Sequence, residues 1–385
     1  MKLKHGLHLA YSTNIHRGES WAEIFHALAT HTLAVRDRVC PREPYAIGLR
    51  LSARAAAELN DPGESLKFQR WLDANGCYVF TFNGFPYGQF HGTRVKEQVY
   101  RPDWTAPERV AYTNRLFDLL AEFLPAGVAG SVSTLPGSFK EFITSPAQET
   151  EIRKNLFRCV EHISRLSEKT GRKLHLGLEP EPLGLFENST ETILFFERLR
   201  AENKNDPRLA EFLGVNYDTC HFAVEFEEPQ TALAAFQQAG VKISKLHLSS
   251  ALKVRPTPAA REELKKFSDD VYLHQVITRD ESGAQKVYRD LPDALAFANQ
   301  QLPEWRIHFH VPLHAPAAPP FENTNDHLLG ALDLLAKNPK LCSHLEMETY
   351  TWEVLPPELK SQTVVDQLAA EYEWTRTQLQ ERRLA

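Results

Sequence analysis

Short apolar runs alternate with longer amphipathic stretches along most of the chain. The apolar runs are residues 6–13, 45–52, 77–84, 127–135, 173–182, 213–221, 241–250, 305–313 and 344–352. The stretches between most of these runs have helical periodicity, and the stretch 20–39 begins with Ser20 and Glu23 in the spacing of a capping box. Strands that alternate with helices indicate βαβ units and a parallel sheet.

The number of apolar runs favours an α/β fold of the closed (β/α)8 type, a TIM barrel that forms a single domain over residues 1–385. A GxGxxG motif does not follow the first run, which weakens the alternative of an open dinucleotide-binding sheet. Nine runs are one more than a barrel needs. We therefore assign run 305–313 to an insertion, residues 251–325, between barrel strands seven and eight. Within it the pattern predicts a hairpin over 271–292 and an irregular proline-rich loop over 312–325.

Composition and charge indicate which class of protein the chain belongs to. A hydrophobic fraction of 42% and a charged fraction of 24% are typical of an ordinary soluble globular protein. The net charge of -6 gives no global basic field, so a nucleic-acid partner is not expected. The apolar runs are too short for a membrane span. Five scattered cysteines without a CxxC pair favour reduced thiols and a cytoplasmic location. These features predict a small-molecule substrate and leave a homo-oligomer open.

Acidic and histidine residues follow the later apolar runs at the point where each run ends. They are Glu179, Asp218, His247 and Glu348. Because the carboxyl ends of barrel strands surround one mouth, these four side chains are expected to meet there. Mixed oxygen and nitrogen donors suit Mn²⁺ or Zn²⁺, and also Co²⁺ or Fe²⁺, so the pattern predicts a divalent metal site.

Strand alternation leaves several choices at this mouth unresolved. Glu181 has the same parity as Glu179, and Glu346 the same as Glu348. We prefer Glu179 because it directly follows its run, and Glu348 because it lies nearer the end of its strand. Asp218, taken alone, is equally expected to cap the helix that follows it.

Other polar residues near strand ends have a structural interpretation as well as a functional one. Arg50 either binds substrate or pairs with a carboxylate, and His91 either binds substrate or belongs to a loop without chemistry. His308 and His310 share a strand face and form a pair that can clamp an ion or reach a substrate. Residues 83–92 are predicted to form a lid, for which four aromatic residues provide either an apolar wall or ordinary packing: Phe82, Phe85, Tyr87 and Trp104.

Several motifs resemble known families. LEPEP (178–182), YDTCHFAVEF (217–226), KLHLSS (245–250) and LEMET (345–349) resemble the xylose-isomerase-like barrels, a superfamily of sugar isomerases, epimerases and endonuclease IV-type enzymes. The longer motifs HLAYSTNIHRGESW (8–21), FTFNGFPYGQFHGTRVKEQVYRPDW (80–104) and HLEMETYTWEVLP (344–356) resemble the EboE family of metabolite traffic proteins.

The resemblance to epimerases implies one divalent ion on Glu179, Asp218, His247 and Glu348. The two glutamates then act as acid and base on a sugar-like or cyclitol-like metabolite, His221 contacts substrate oxygens, and Lys253 or Arg255 is the substrate-binding cation.

The resemblance to endonuclease IV implies phosphoester hydrolysis instead, with a further ion on His221, His308 and His310. Asn83 and Leu135 stand where that family has histidines for another zinc, which argues against a trinuclear cluster. The resemblance to EboE implies metabolite handling without turnover. We expect isomerase or epimerase chemistry first.

Overall fold

Eight parallel strands close into a barrel, and a second, antiparallel sheet is inserted before the last of them. The computed structural model describes residues 1–298, 302–315 and 319–385. The strands of the described residues are β1 His8–Tyr11, β2 Tyr45–Arg50, β3 Cys77–Asn83, β4 Gly130–Thr134, β5 Leu174–Leu178, β6 Leu213–Asp218, β7 Lys242–Leu248, β8 Ala251–Val254, β9 Val276–Arg279, β10 Gln285–Tyr288, β11 Glu304–His310, β12 Phe321–Asn323 and β13 His344–Met347.

The barrel strands follow the order β1-β13-β7-β6-β5-β4-β3-β2. A parallel bridge between Ser12 and Gly48 joins the two ends of this sheet and closes the barrel. Each of the nine predicted runs contains one strand, and β11 is the inserted strand. The predicted (β/α)8 barrel with an insertion between its seventh and eighth strands is therefore confirmed.

Helices pack around the barrel and, in the insertion, against the antiparallel sheet. They are α1 Trp21–Ala27, α2 Leu33–Val39, α3 Ala53–Leu59, α4 Pro62–Ala74, α5 Pro107–Phe123, α6 Pro146–Thr170, α7 Ser189–Glu202, α8 Arg208–Phe212, α9 Thr219–Val224, α10 Pro229–Gln238, α11 Pro258–Leu264, α12 Leu291–Phe297, α13 Asn325–Lys337 and α14 Val364–Glu381. Ser20 and Glu23 form the predicted capping box at α1. Gly171 ends α6 with φ 68°, a conformation that glycine adopts without a Cβ clash. The stretch predicted as one helix over 20–39 contains a π-helical turn, Leu28–Thr32, between α1 and α2.

The insertion forms an antiparallel sheet in the order β10-β9-β11-β8-β12. One face of this sheet has its own apolar core, in which Phe309 packs edge-on against Phe267. Because side chains alternate along a strand, His308 and His310 lie on the opposite face of β11, towards the barrel. The prediction of an irregular loop over 312–325 is wrong at β12, which pairs with β8 as an edge strand. Residues 316–318 of that loop lie outside the described residues.

Polar side chains occupy part of the barrel interior. The carboxylate of Glu346, on β13, lies so close to the backbone of β2 that a Cβ at position 48 would overlap its Oε1. Gly48 therefore provides the space that Glu346 needs.

All five cysteines are buried and free of disulfides. Among the helices of the described residues, none combines the length and apolar character required to cross a bilayer.

Candidate active site

The imidazole of His247 lies at the centre of an acidic cluster at the C-terminal end of the barrel. Its Nδ1 is 3.0 Å from Glu179 Oε1, 3.0 Å from Glu348 Oε2 and 3.5 Å from Asp218 Oδ2. One donor atom from each of these four residues lies within 4.8 Å of the others. The residues belong to the ends of β5, β6, β7 and β13, and all four are buried. The barrel thus brings together four side chains that are far apart in the sequence.

Asp218 uses its two carboxylate oxygens differently. Oδ1 accepts hydrogen bonds from the backbone N–H groups of Cys220 and His221, at 2.8 and 3.2 Å, and from the hydroxyl of Ser249 at 2.5 Å. This oxygen therefore caps α9, as the structural interpretation of the sequence anticipated. Oδ2 points at the cluster and has no hydrogen-bond partner within the described part of the chain.

Two amides orient Glu348. Its Oε1 accepts hydrogen bonds from Asn14 Nδ2 at 2.8 Å and from Asn83 Nδ2 at 2.9 Å, which leaves Oε2 turned towards His247. The sequence analysis missed Asn14 and considered Asn83 only as a departure from the endonuclease IV pattern. Asn83 is the last residue of β3. Since active-site residues of such barrels lie at the C-terminal ends of strands, its position in the predicted strand was sufficient to make it a candidate.

The electrostatics of the cluster favour positive charge at its centre. Burial by itself lowers the pKa of His247, but the carboxylates of Glu348 and Glu179 raise it well above its usual value. Burial by itself raises the pKa of Asp218, yet the imidazoles of His221 and His310 hold it well below its usual range. Three buried carboxylates that share one imidazole, one of them with an unpartnered oxygen, fit a divalent cation.

Two further charged residues lie beneath the cluster, inside the barrel. Glu346 Oε2 is 2.9 Å from His247 Nε2 and 2.5 Å from the ammonium of Lys245. Burial by itself raises the pKa of Glu346, but Lys245 and His247 lower it to about 2. The sequence analysis considered Glu346 only as a competitor of Glu348 and did not consider Lys245. Neither residue lies at the mouth of the barrel, and the sequence analysis searched for functional residues chiefly at strand ends.

The three histidines of the predicted second site also come together. The ring centroids of His221 and His308 are 4.6 Å apart, and those of His308 and His310 are 5.3 Å apart. Each ring donates its Nδ1 hydrogen to an oxygen: Pro180 O for His221, Gln275 Oε1 for His308 and Glu348 O for His310. These acceptors fix the tautomer in which Nε2 keeps a free lone pair.

The Nε2 atoms of this set face acidic groups. His221 Nε2 is 3.9 Å from Asp218 Oδ2, and donor atoms of Asp218, His221 and His310 all lie within 4.8 Å of one another. Across the described residues, His308 Nε2 and His310 Nε2 have no hydrogen-bond partner. A second group of ligand atoms therefore lies beside the first and shares Asp218 with it.

The other predicted substrate-binding residues do not line the mouth. Arg50 pairs with Glu19, 3.0 Å away, and donates to the carbonyls of Gly18 and Gly88, so its structural interpretation applies. Lys253 points into the inserted sheet, 3.1 Å from Glu322 on β12, and Arg255 is exposed beyond β8. Neither residue lines the cavity above the cluster, because the chain turns away from the barrel after β7, and their contact with substrate stays a prediction.

His91 holds the lid in place. Its Nε2 donates to the Asn14 carbonyl at 2.6 Å, and its Nδ1 accepts from the Tyr272 hydroxyl at 2.7 Å. Both ring nitrogens are thus engaged with protein groups, and contact of His91 with substrate stays a prediction.

A cavity of about 70 Å³ lies directly above the cluster. The described residues that line it are Asn14, Asn83, Phe85, Pro86, Phe90, Val95, Lys96, Val99, Tyr100, Glu179, Glu181, His221, Tyr272, Leu273, Gln275, His308, Glu348 and Tyr350. Of the four aromatic residues predicted for the lid wall, Phe85 lines the cavity, whereas Phe82 and Trp104 are packed in the core and Tyr87 packs against Tyr112.

The chain matches no protein-family model and no curated protein by sequence. Solved structures share its fold over nearly the whole length. An L-ribulose 3-epimerase is 12% identical with a TM-score of 0.52, covering 100% of this chain and 96% of that chain. A xylose isomerase domain protein from Alicyclobacillus acidocaldarius is 10% identical with a TM-score of 0.51, covering 97% and 98%. The probable 3-DHS dehydratase AsbF of Bacillus anthracis is 12% identical with a TM-score of 0.50, covering 98% and 99%. These likenesses show that the chain shares the fold of these proteins.

Proposed function

We propose that this protein is a divalent-metal-dependent isomerase or epimerase that acts on a small polyhydroxylated, sugar-like or cyclitol-like metabolite. The observation that carries the proposal is the convergence of Glu179, Asp218, His247 and Glu348 on one point, with both glutamates on the floor of the cavity. These four residues would hold the ion, with Mn²⁺ or Zn²⁺ as the first candidates and Co²⁺ or Fe²⁺ as alternatives. The resemblance of the sequence to epimerases agrees with this assignment.

The bound ion supplies polarisation of a substrate carbonyl and a neighbouring hydroxyl. Glu179 and Glu348 face the cavity, where one removes the proton from the carbon next to the carbonyl and the other returns a proton to the product. The amides of Asn14 and Asn83 hold Glu348 in position for this transfer. His221, also in the cavity lining, contacts substrate oxygens.

Solvent isotope exchange tests the proposal. Ketoses, aldoses and cyclitols are incubated with the protein and Mn²⁺ in D₂O, and deuterium incorporation next to the carbonyl is followed by NMR. We expect metal-dependent exchange with at least one compound class, and its loss in Glu179→Gln and Glu348→Gln. Metal-dependent binding without exchange contradicts catalysis and supports the metabolite-handling role that the EboE resemblance suggests.

The histidine set favours a second candidate function, phosphoester hydrolysis with two ions. The supporting observations are that His221, His308 and His310 each keep an Nε2 lone pair, and that His221 and His310 form a group of ligand atoms with Asp218, which also belongs to the first group. Elemental analysis after loading with Zn²⁺ tests it. Two ions per chain, reduced to one in His308→Gln but not in the exposed control His26→Gln, together with cleavage of a phosphodiester substrate, would favour hydrolysis. One ion in all three proteins contradicts it.

A further inference from the structure

The cavity has two chemically different halves. Its floor consists of the acidic cluster with the amides and imidazoles around it. Its roof comes from three separate segments: residues 85–100, which include most of the lid and the chain after it, the residues before β9 and the turn after β13. The roof residues with apolar side chains or aromatic rings are Phe85, Pro86, Phe90, Val95, Val99, Tyr100, Tyr272, Leu273 and Tyr350.

Two polar side chains of the roof, Tyr272 and Gln275, already have partners within the protein, whereas the Tyr100 hydroxyl has none among the described residues. The Tyr272 hydroxyl donates to His91, and the Gln275 amide donates to Pro182 O while its oxygen accepts from His308. A hydroxyl group of a substrate that lay against Tyr272, Leu273 and Gln275 would be buried without a partner, which is unfavourable. This part of the roof therefore favours an apolar substituent.

The charges around the cavity disfavour an anionic substrate. Lys96 is the one cationic side chain among the described lining residues, and its ammonium group pairs with Asp290 and donates to Asp269 O. The floor contains Glu179, Asp218 and Glu348, whose three charges exceed those of one divalent ion. A phosphate or carboxylate on the substrate would meet this excess negative charge without a free cation to bind it.

We infer that the substrate is an uncharged α-hydroxy carbonyl compound with hydroxyls at its reacting end and an aliphatic or aromatic group at its other end. This inference rests on the proposed function, since it places the hydroxy carbonyl end on the ion. Leu273 and the lid residues determine the preference for an apolar group, because binding of that group removes the apolar surface of these residues from water. Phosphorylated sugars are excluded on the same grounds.

A series of hydroxamates with one chelating head and four tails tests the inference. The ligands are acetohydroxamate, benzohydroxamate, threonohydroxamate and phosphoglycolohydroxamate, and affinities for the manganese-loaded protein are measured by calorimetry. Burial of a phenyl ring is expected to make benzohydroxamate bind about tenfold or more tightly than acetohydroxamate. The hydroxylated and phosphorylated tails are expected to give no such gain.

Two matched leucine variants test whether the roof is the source of the preference for a phenyl group. Leu273→Asn introduces a polar group into the roof and should remove most of the phenyl advantage, whereas the exposed Leu194→Asn should leave it unchanged. Equal loss in both variants, or tighter binding of a hydroxylated or phosphorylated tail, overturns the inference while metal-dependent binding of the head leaves the proposed function standing. If manganese strengthens the binding of none of the four ligands, both fail.

Discussion

His247 Nε2 lies 2.9 Å from Glu346 Oε2, on the side of the ring away from the acidic cluster. The carboxylate accepts the Nε2 hydrogen, so in the neutral ring, the form that binds a cation, Nδ1 keeps its lone pair for the centre of the cluster. Carboxylates that hold metal-binding histidines in this way fix both the tautomer and the ring orientation. Glu346 is therefore a positioning residue for the proposed ion, beneath the site and out of reach of the substrate cavity.

The Glu346→Gln variant should bind metal about 10–100-fold more weakly, because the uncharged amide orients His247 less strongly. It should also be less stable, since Lys245 loses the carboxylate 2.5 Å from its ammonium and remains buried without it. Chelator competition measures the first effect, and thermal unfolding of the metal-free protein measures the second.

The double variant Lys245→Met with Glu346→Gln separates the two effects. Removing both charges should recover stability but not metal affinity. Recovery of metal affinity in the double variant would show that Glu346 acts through the folded state in general and not through His247.

Asp218→Asn should lower metal affinity by tenfold or more and shift the melting temperature only slightly. Asparagine keeps an oxygen for the Cys220 and His221 N–H groups, so the cap of α9 remains. Its amide nitrogen replaces the unpartnered Oδ2 and cannot bind a cation. Asp218→Ala should lose the cap as well, at a cost of about 1 kcal/mol. Unchanged metal content in the asparagine variant, measured by elemental analysis, would leave only the capping role.

Glu348→Gln should abolish turnover and reduce metal occupancy while the metal-free protein still folds. The glutamine oxygen can still accept from Asn14 and Asn83, and the loss of repulsion between carboxylates opposes the loss of the attraction to His247. Elemental analysis and thermal unfolding measure these properties, with the exposed Glu281→Gln as the charge-matched control. Full occupancy with full turnover would contradict both proposed roles.

Glu371, on α14, should make stability depend on pH. Burial raises its pKa to about 7, although Thr349 Oγ1 and Leu313 N–H donate to its Oε1 and lower it. The folded state thus holds a proton that the unfolded state has released, so the contribution of Glu371 to stability falls as pH rises from about 4.5 to about 7.

The Glu371→Gln variant should remove this dependence. Relative to the wild type it should gain about 3 kcal/mol in free energy of unfolding between pH 4.5 and 7.5, from the difference of the two pKa values. Urea unfolding across this range measures the gain, with the exposed Glu373→Gln on the same helix as control. A constant difference between variant and wild type would show that Glu371 does not titrate there.

The local pattern of apolar and polar residues was sufficient to predict most strands of the barrel. Runs such as 77–84 and 213–221 are mostly apolar because strands buried on both faces expose no polar side to solvent, and β3 and β6 lie within them. The insertion was recognisable from the surplus run. Edge strand β12 was missed because three residues in a proline-rich segment carry no periodicity of their own, and pairing with β8 forms the strand.

The sequence predicted those residues of the candidate site that lie at the C-terminal ends of barrel strands. Glu179, Asp218, His247 and Glu348 each stand at such an end, and the barrel places their donor atoms together. The position of Lys253 and Arg255 away from the cavity was not predictable, because distance from His247 along the sequence says nothing about the direction of β8. The ion pair of Lys245 and Glu346 was missed because a buried pair beneath a site has the same sequence pattern as ordinary strand interior.

The sequence by itself determined the order of strands and helices and the residue types at each strand end, because periodicity and strand termination are local properties of the chain. Only the tertiary structure decided which oxygen of Asp218 caps α9 and which faces the cluster, which glutamate of β13 lies at the mouth, and where the arginines and lysines go. The physical reason is that these outcomes depend on barrel closure and on the docking of the inserted sheet, which set distances between residues that are remote in the sequence.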